Sequence, residues 1–123
     1  IKLKGLEETV FLLGVRSDIL QLMAGADVMI MPSLFEGFPV VLVEAQSIGL
    51  PCVISDAIAS EVDLELGLVE FLSLNDNKEK WSDALVTSVN KKVTAVEISE
   101  KLTTKGFDAT TNAKWLAQFY KNL

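Results

Sequence analysis

The chain is 123 residues long, half of them hydrophobic and 23% charged, with a net charge of −6. This size and composition are typical of a single globular domain. The negative charge argues against nucleic acid as a partner, since non-specific binding needs lysine and arginine to replace phosphate counterions. No stretch approaches the ~18 consecutive apolar residues of a membrane span, and no signal peptide opens the chain. We therefore expect a cytoplasmic protein, at most peripheral to the inner face of a membrane.

The chain contains no histidine and a single cysteine, Cys52. Without histidine, Ser-His-Asp hydrolysis and most zinc chemistry are closed to the chain acting alone. One cysteine cannot form a disulfide framework, and its position between Pro51 and Val53 predicts a buried thiol. We expect no metal and no cofactor.

The first half of the chain alternates between strand and helix signals. A β-branched and aromatic run predicts a strand at 9–13, ended by Gly14. A short helix is expected from a cap at Ser17 through Met23. A second buried strand at 28–31 is followed by Pro32, which cannot donate to a sheet.

The next elements surround a Gly-Phe-Pro turn. Residues 39–48 are predicted to form a helix, with Pro39 at its first position and Gly49 as its terminator. Short strands are expected at 51–54 and at 68–72, although Glu70 interrupts the second.

The last part of the chain is predicted to be helical, at 78–89, 93–104 and 109–123. Apolar residues recur at helical spacing in the first and third of these helices. We expect them to pack in the core: Trp81, Leu85, Val89, Trp115, Leu116, Phe119 and Tyr120.

Continuous apolar strands alternating with helices predict an α/β fold, in which a parallel sheet of about four strands has helices on both faces and a helical C-terminus follows. In such sheets, ligands bind at the carboxyl ends of the strands, next to helix N-termini. The loop at 32–38 and the start of the helix at 39–48 have that position. They form the candidate site.

Two glutamates flank the start of this helix. The first backbone N–H groups lack intrahelical acceptors, the helix dipole is positive there, and Gly37 lets a ligand approach the backbone, so this end favours phosphate. Carboxylates repel phosphate but accept hydrogen bonds from hydroxyls. Glu36 precedes the helix and Glu44 lies within it. The layout predicts a nucleotide sugar, with its sugar near Glu36 and its ribose near Glu44.

Other interpretations of the two glutamates remain open. Glu36 could complement the helix dipole, which is worth about 0.3 to 1 kcal/mol, and Glu44 could be the one solvated position of a buried helix. A glycosidase-like acid pair is a third hypothesis, although nothing in the sequence indicates a carbohydrate cleft. A receiver-like signalling or interaction module is the alternative from another class, but Met31 is followed by Pro32 and Ser33 rather than by a phosphoacceptor aspartate.

Residues 10–55 read VFLLGVRSDILQLMAGADVMIMPSLFEGFPVVLVEAQSIGLPCVIS. This ordered series resembles the retaining glycosyltransferases of family 4, which have the two-domain GT-B fold with Rossmann-like sheets. It includes Ala-Asp-Val, Pro-Ser, two glutamates eight residues apart and the Gly-x-Pro segment; residues 10–14, Val-Phe-Leu-Leu-Gly, match the family's Val-x-Phe-x-Gly strand except that Leu12 stands in place of Phe. The resemblance implies transfer of a sugar from a nucleoside-diphosphate sugar to a glycan or lipid-linked acceptor in cell-surface polysaccharide or glycolipid synthesis, without a metal.

The resemblance also implies roles for individual residues. Glu36 would position the donor sugar as the residue most closely involved in catalysis, while Glu44 would bind the ribose. The turn and the helix start would contact the sugar and the diphosphate, respectively, and Gly14 and Val15 would lie near the base. The complete set of implied contacts is Gly14, Val15, Glu36, Gly37, Phe38, Pro39, Val40, Val41 and Glu44.

By the same resemblance, residues 1–123 are expected to be a partial donor-binding domain. The N-terminal acceptor domain and the first two strands, with basic residues that neutralise the diphosphate, would lie outside it. Such a fragment should be inactive alone. With the neighbours of strand 9–13 missing, it would rearrange or self-associate, because bare strand edges invite pairing. An epimerase or glycogen-synthase relative is a further alternative within enzymes.

Overall fold

A computed structural model describes residues 1–122. The three strands and the first two of the five helices lie within residues 19–72, and the other three helices follow. The elements are α1 (Ile19–Ala24), β1 (Met29–Met31), α2 (Val40–Ser47), β2 (Cys52–Ser55), β3 (Val69–Leu72), α3 (Lys78–Ser88), α4 (Ala95–Thr104) and α5 (Ala109–Lys121). Short 3-10 turns lie at Lys2–Lys4 and Ser60–Val62. Within the described residues, no helix is long and apolar enough to cross a bilayer. The predicted α/β class is confirmed.

The sheet is parallel, in the order β1-β2-β3, and β2 is its buried centre. Successive side chains of a strand point to opposite faces. Cys52 and Ile54 accordingly pack with α1 and α2, while Val53 packs with α3. Helices therefore cover both faces, which explains why β2 is apolar at consecutive positions.

The predicted strand at 9–13 is not formed, so the sheet has three strands rather than four. Residues 9–13 are exposed and irregular, and they pair with no strand among residues 1–122. A β-branched and aromatic run becomes a strand only when a neighbour satisfies its backbone groups, because β propensity depends on context. In the described part of the chain, no strand precedes residue 9 to act as that neighbour.

Helix α2 begins one residue later and ends one residue earlier than predicted, at Val40–Ser47. Pro39 is the N-cap residue rather than the first helical residue. At the other end, Gly49 has a φ of 77°, a conformation that favours glycine. Its N–H donates to the Gln46 carbonyl and the Leu50 N–H donates to the Ala45 carbonyl, both at 3.0 Å, which is the Schellman pattern of a helix terminus.

Helix α1 is also shifted from its predicted start. Asp18, not Ser17, is its N-cap residue, and the Asp18 side chain makes no capping hydrogen bond. Instead, Arg16 pairs with the Asp18 carboxylate and lowers its pKa. The helix extends one residue past the predicted Met23, to Ala24, and Gly25 is its C-cap residue.

The buried side chain of Gln46 ties α2 to the crossover between β2 and β3. Its Nε2 donates to the carbonyl oxygens of Leu42 and Val62, at 2.9 and 2.8 Å. Its Oε1 accepts from the Leu64 N–H at 2.9 Å. The crossover contains only a 3-10 turn at Ser60–Val62, so this amide supplies hydrogen bonds that a longer helix would provide internally.

The glutamate that interrupts β3 has a structural explanation. Glu70 lies opposite Val53 in the sheet and is half-buried. Its carboxylate accepts hydrogen bonds from Lys91 Nζ at 3.3 Å and, at 3.5 Å, from the buried Ser88 Oγ. Glu70 thus connects the sheet to the end of α3.

The apolar residues that recur at helical spacing in α3 and α5 were expected to be buried. This prediction is wrong for α5 and partly wrong for α3. Trp81 and Leu85 pack against the sheet as expected, but Val89 is 38% exposed. Helix α5 has no buried residue, and its four large apolar side chains are all exposed: Trp115, Leu116, Phe119 and Tyr120. Helical periodicity reveals an apolar stripe but does not identify what covers it.

Glu65 connects the crossover to α4 through two ion pairs. It has a φ of 58°, a conformation that costs free energy for a residue with a Cβ. Its carboxylate pairs with Lys101 at 3.0 Å and with Lys105 at 2.5 Å. Hydrogen bonds from Lys105 and Lys101 lower the pKa of Glu65 from 4.5 to about 2.

We predict that Gln46→Met will destabilise the fold by about 3 kcal/mol, because the buried Leu64 N–H and Val62 carbonyl lose their partner. Urea unfolding followed by circular dichroism measures this change. Gln21→Met, at an exposed position of α1, is the matched control and should change stability by less than about 0.5 kcal/mol. Equal effects of the two substitutions would contradict the role assigned to Gln46.

We predict that the stabilisation by Glu65 depends on pH. Its pKa is lower in the folded state than in the unfolded state, so the stabilisation is complete above pH 4.5 and is lost as the pH falls toward 2. Glu65→Gln should therefore be less stable than wild type at pH 7, with a difference that shrinks below pH 4.5. Urea midpoints from pH 7 to pH 3 measure the difference, with exposed Glu100→Gln as control. A pH-independent difference would contradict the prediction.

Candidate functional site

The candidate site lies at the carboxyl edge of the sheet, where the chain passes from β1 to α2. Strand β1 ends at Met31, and α2 begins at Val40 after an irregular loop. The loop is Pro32–Pro39, and its last residue, the buried Pro39, directly precedes the helix. A buried proline with a φ of −75° fixes the direction in which the helix leaves the loop.

The first turn of α2 offers free hydrogen-bond donors. Pro39 has no side-chain cap, and its carbonyl accepts from the Leu42 N–H at 3.0 Å. Among the described residues, the N–H groups of Val40 and Val41 have no acceptor. The side chain of Val40 is exposed, so a ligand can reach this end of the helix from solvent. Two free N–H groups at the positive end of a helix dipole suit an anion.

Glu36 is held in place on the loop side of this helix end. Ser33 Oγ donates a hydrogen bond to Glu36 Oε1 at 2.8 Å, and both side chains are half-buried. One carboxylate oxygen is thus engaged and the other has no partner among residues 1–122. This oxygen can accept a hydrogen bond from a ligand hydroxyl.

Glu44 lies further along the chain, within α2. It is the fifth residue of α2, about 7.5 Å along the axis from Pro39 at ~1.5 Å per residue. Its carboxylate is exposed and has no hydrogen-bond partner in the described chain, whereas its backbone carbonyl accepts from Ser47 Oγ at 2.7 Å. Glu44 is the one exposed residue between Leu42 and Gln46, so a purely solvated role is also compatible with its position.

The Gly-Phe-Pro turn lies between the two glutamates. Apart from Gly37 and its two chain neighbours, no residue has a heavy atom within 4 Å of where a Cβ on Gly37 would be, so this turn is open to a ligand. Phe38 is 45% exposed, and its ring stacks on that of Phe107 with a centroid distance of 5.9 Å. Gly37 and Phe38 are therefore the exposed part of this turn, whereas Pro39 is buried.

Gly14 and Val15 make no hydrogen bond to residues 36–41. Both residues are exposed in the irregular segment before α1, and Gly14 has a φ of 67°. Their predicted position near a nucleotide base stays a prediction. It depends on strand 9–13, which is not formed here.

Three residues that support the site were not predicted from sequence. They are Ser33, which binds Glu36; Gln46, which anchors α2; and Phe107, which stacks on Phe38. The Pro-Ser pair was noticed only as a motif element, although a serine three residues before a glutamate can form this bond. Nothing local in the sequence indicated the Phe107 contact, because the two rings are far apart in the chain.

Other reactive groups do not add to the site. Cys52 is fully buried, as predicted, and burial raises the pKa of its thiol to about 12. Such a thiol stays protonated and is a poor nucleophile. Within residues 1–122, no three acidic, cysteine or histidine side chains come together as metal ligands.

The sequence matches the profile of a protein family described as "Glycosyl transferases group 1" over residues 1–91. It is 45% identical over 112 residues to a Bacillus subtilis (strain 168) protein named "Putative glycosyltransferase EpsF", an alignment that covers 90% of this chain and 29% of the relative. The matched residues include the whole candidate site.

Two further relatives have more specific names. An Escherichia coli protein, "UDP-Gal:alpha-D-GlcNAc-diphosphoundecaprenol alpha-1,3-galactosyltransferase", is 35% identical over 88 residues, covering 72% of this chain and 23% of the relative. A Campylobacter jejuni protein, "N,N'-diacetylbacillosaminyl-diphospho-undecaprenol alpha-1,3-N-acetylgalactosaminyltransferase", is 48% identical over 44 residues, covering 36% of this chain and 12% of the relative.

The chain spans less than a third of the length of these curated relatives. The family profile nevertheless covers residues 1–91 of 123, well over half of the chain. The glycosyltransferase resemblance of residues 10–55 is therefore confirmed at the level of the family. The chain belongs to the group 1 glycosyl transferase family.

Proposed function

We propose that this chain binds the donor in a glycosyltransferase that moves a sugar from a nucleoside-diphosphate sugar to a lipid-linked glycan acceptor. The observation that carries the proposal is the start of α2, where the N–H groups of Val40 and Val41 have no acceptor, and where a glutamate with an unpaired carboxylate oxygen comes before them in the chain and another after them. Membership of the glycosyl transferase family supports a sugar donor as the ligand of this site.

The diphosphate would bind at the N–H groups of Val40 and Val41. The protein carries a net charge of −6, so its overall field repels a nucleotide. Local donors and the helix dipole must supply the attraction instead. The same donors stabilise the charge that develops on the diphosphate as the bond to the sugar breaks, which is how a preorganised site lowers the barrier.

The two glutamates would bind hydroxyl groups at opposite ends of the donor. Glu36, oriented by Ser33, would accept from a hydroxyl of the transferred sugar, and Glu44 would accept from the ribose. Glu36 then acts in catalysis by positioning the reacting sugar rather than by attacking it. The turn at Gly37, Phe38 and Pro39 would contact the sugar beside it.

The acceptor class is proposed from the relatives. The names of the Escherichia coli and Campylobacter jejuni proteins both specify acceptors linked through diphosphate to undecaprenol. We propose an acceptor of the same kind for the complete enzyme, bound by a domain outside residues 1–122. An enzyme with such an acceptor works at a membrane surface, on the side that supplies nucleotide sugars.

Residues 1–122 should bind the donor weakly and transfer no sugar by themselves. The acceptor site and the basic residues that neutralise a leaving diphosphate are proposed to come from other parts of the protein. The donor needs no metal in this proposal, because the helix end and those basic residues provide the positive charge. Turnover by residues 1–123 alone, measured with labelled nucleotide sugars, would show that this division of roles is wrong.

We predict that Glu44→Ala weakens binding of a nucleoside diphosphate by the complete enzyme roughly 10-fold or more, since a hydrogen bond to a charged group is lost. Binding of inorganic pyrophosphate should not change, because it has no ribose. Calorimetric titration with UDP, GDP, ADP and pyrophosphate measures both effects. Glu100→Ala, at an exposed position of α4, is the matched control.

The outcomes distinguish failure of the proposed function from failure of the role assigned to Glu44. If the wild-type enzyme binds none of the three nucleotides, the proposed function is wrong. If it binds one of them and Glu44→Ala weakens nucleotide and pyrophosphate equally, the donor site exists but Glu44 does not act on the ribose.

A further inference from the structure

The contact between Phe38 and Phe107 joins the Gly-Phe-Pro turn to the connection between α4 and α5. The ring planes are inclined by 23°, and the centroids lie 5.9 Å apart. Phe107 is half-buried, and Phe38 keeps nearly half of its surface exposed. A stacked pair at this distance is attractive beyond its burial of apolar area. The contact leaves one side of Phe38 available to a ligand.

The position of Phe107 is fixed by the way α4 ends. The Phe107 N–H donates to the Leu102 carbonyl at 2.8 Å, and the Gly106 N–H donates to the Thr103 carbonyl at 3.2 Å. Gly106 has a φ of 78°. These bonds form a Schellman motif, in which glycine takes the left-handed position and the next residue turns back onto the helix. The motif fixes the backbone of Phe107, whose ring contacts Phe38.

Helix α5 fixes Phe107 from the other side. Asp108, the N-cap residue of α5, accepts a hydrogen bond from the Thr111 N–H at 2.6 Å. Asn112 Nδ2 donates to the Gly106 carbonyl at 2.6 Å. Two helix ends therefore meet at Phe107, with their backbone groups satisfied by local bonds. Because its backbone is fixed by both helix ends, Phe107 can hold the ring of Phe38 in one position.

We propose that Phe107 is a positioning residue for the donor sugar, acting by holding Phe38 in place within the Gly-Phe-Pro turn. This inference rests on the proposed function, in which the turn contacts the sugar and the start of α2 contacts the diphosphate. The turn has no regular structure of its own from Pro32 to Pro39. Ser33 supports Glu36 from one end of the loop, and Phe107 supports Phe38 from the other.

The proposal makes a selective prediction for the complete enzyme. Phe107→Ala should raise the KM for the nucleotide sugar roughly threefold to tenfold, the factor that corresponds to a lost stacked pair. The Kd for the matching free nucleoside diphosphate should not change, because the N–H groups of Val40 and Val41 remain in place. Phe107→Tyr should restore the KM, since tyrosine keeps the ring.

Two further variants keep the experiment informative. Gly106→Ala leaves both rings present but strains the turn, so it should also raise the KM for the nucleotide sugar. Phe119→Ala removes an exposed stacked phenylalanine outside the turn, whose ring lies 5.6 Å from that of Trp115 in α5, and should leave the KM unchanged. If Phe107→Ala fails to fold, Phe107→Leu tests the same loss of stacking.

The measurements distinguish this inference from the proposed function. Wild-type enzyme that binds no nucleotide would overturn both. Wild-type enzyme that binds nucleotide, together with a Phe107→Ala variant of unchanged KM for the nucleotide sugar, would overturn the inference alone. Equal weakening of free nucleotide and nucleotide sugar would also overturn it, because general destabilisation rather than sugar positioning would then explain the effect.

Discussion

The burial of β2 on both faces is the constraint from which the rest of the structure follows. Cys52, Val53 and Ile54 are fully buried between helices, in a strand paired in parallel on both edges. Parallel pairing requires every connection to cross back over a face of the sheet, and it brings the carboxyl ends of the strands to one edge. The start of α2 lies at that edge because α2 is the crossover between β1 and β2. The candidate site is thus a consequence of the topology.

The electrostatics of the site resolve an apparent contradiction. A chain with a net charge of −6 would be a poor choice for binding a diphosphate if charge alone decided. In the proposed site, the free N–H groups of Val40 and Val41 would bind the diphosphate without a cationic side chain, and the glutamates would accept from hydroxyls rather than contact the phosphates. The field at the helix end is local, whereas the net charge acts over a longer range that salt screens.

Sequence was sufficient where local chemistry decides the structure. The buried strand β2, the Schellman end of α2 at Gly49 and the buried Cys52 each follow from residues a few positions apart, whereas β1 was predicted to be buried and has Ile30 48% exposed. Sequence failed where a distant neighbour decides. Residues 9–13 have strand propensity but no partner strand, and the apolar stripe of α5 has no covering surface among residues 1–122.

The candidate site shows the same division. Glu36 and Glu44 were identified from their spacing around a helix start, which is a local pattern. The supports of the site were missed, because Gln46 binds Val62 and Leu64 across the crossover and Phe107 reaches Phe38 from the far end of the chain. Periodicity carries no information about such pairs. The available local signals were a glutamine among the apolar residues of a helix and a serine three residues before Glu36.

The most direct test of the account is a crystal structure of the complete enzyme with its nucleoside-diphosphate sugar bound. The account predicts diphosphate oxygens within hydrogen-bond distance of the Val40 and Val41 N–H groups, a sugar hydroxyl on Glu36 and a ribose hydroxyl on Glu44. A donor bound away from the start of α2, or one that places both glutamates on the same end of the molecule, would contradict it.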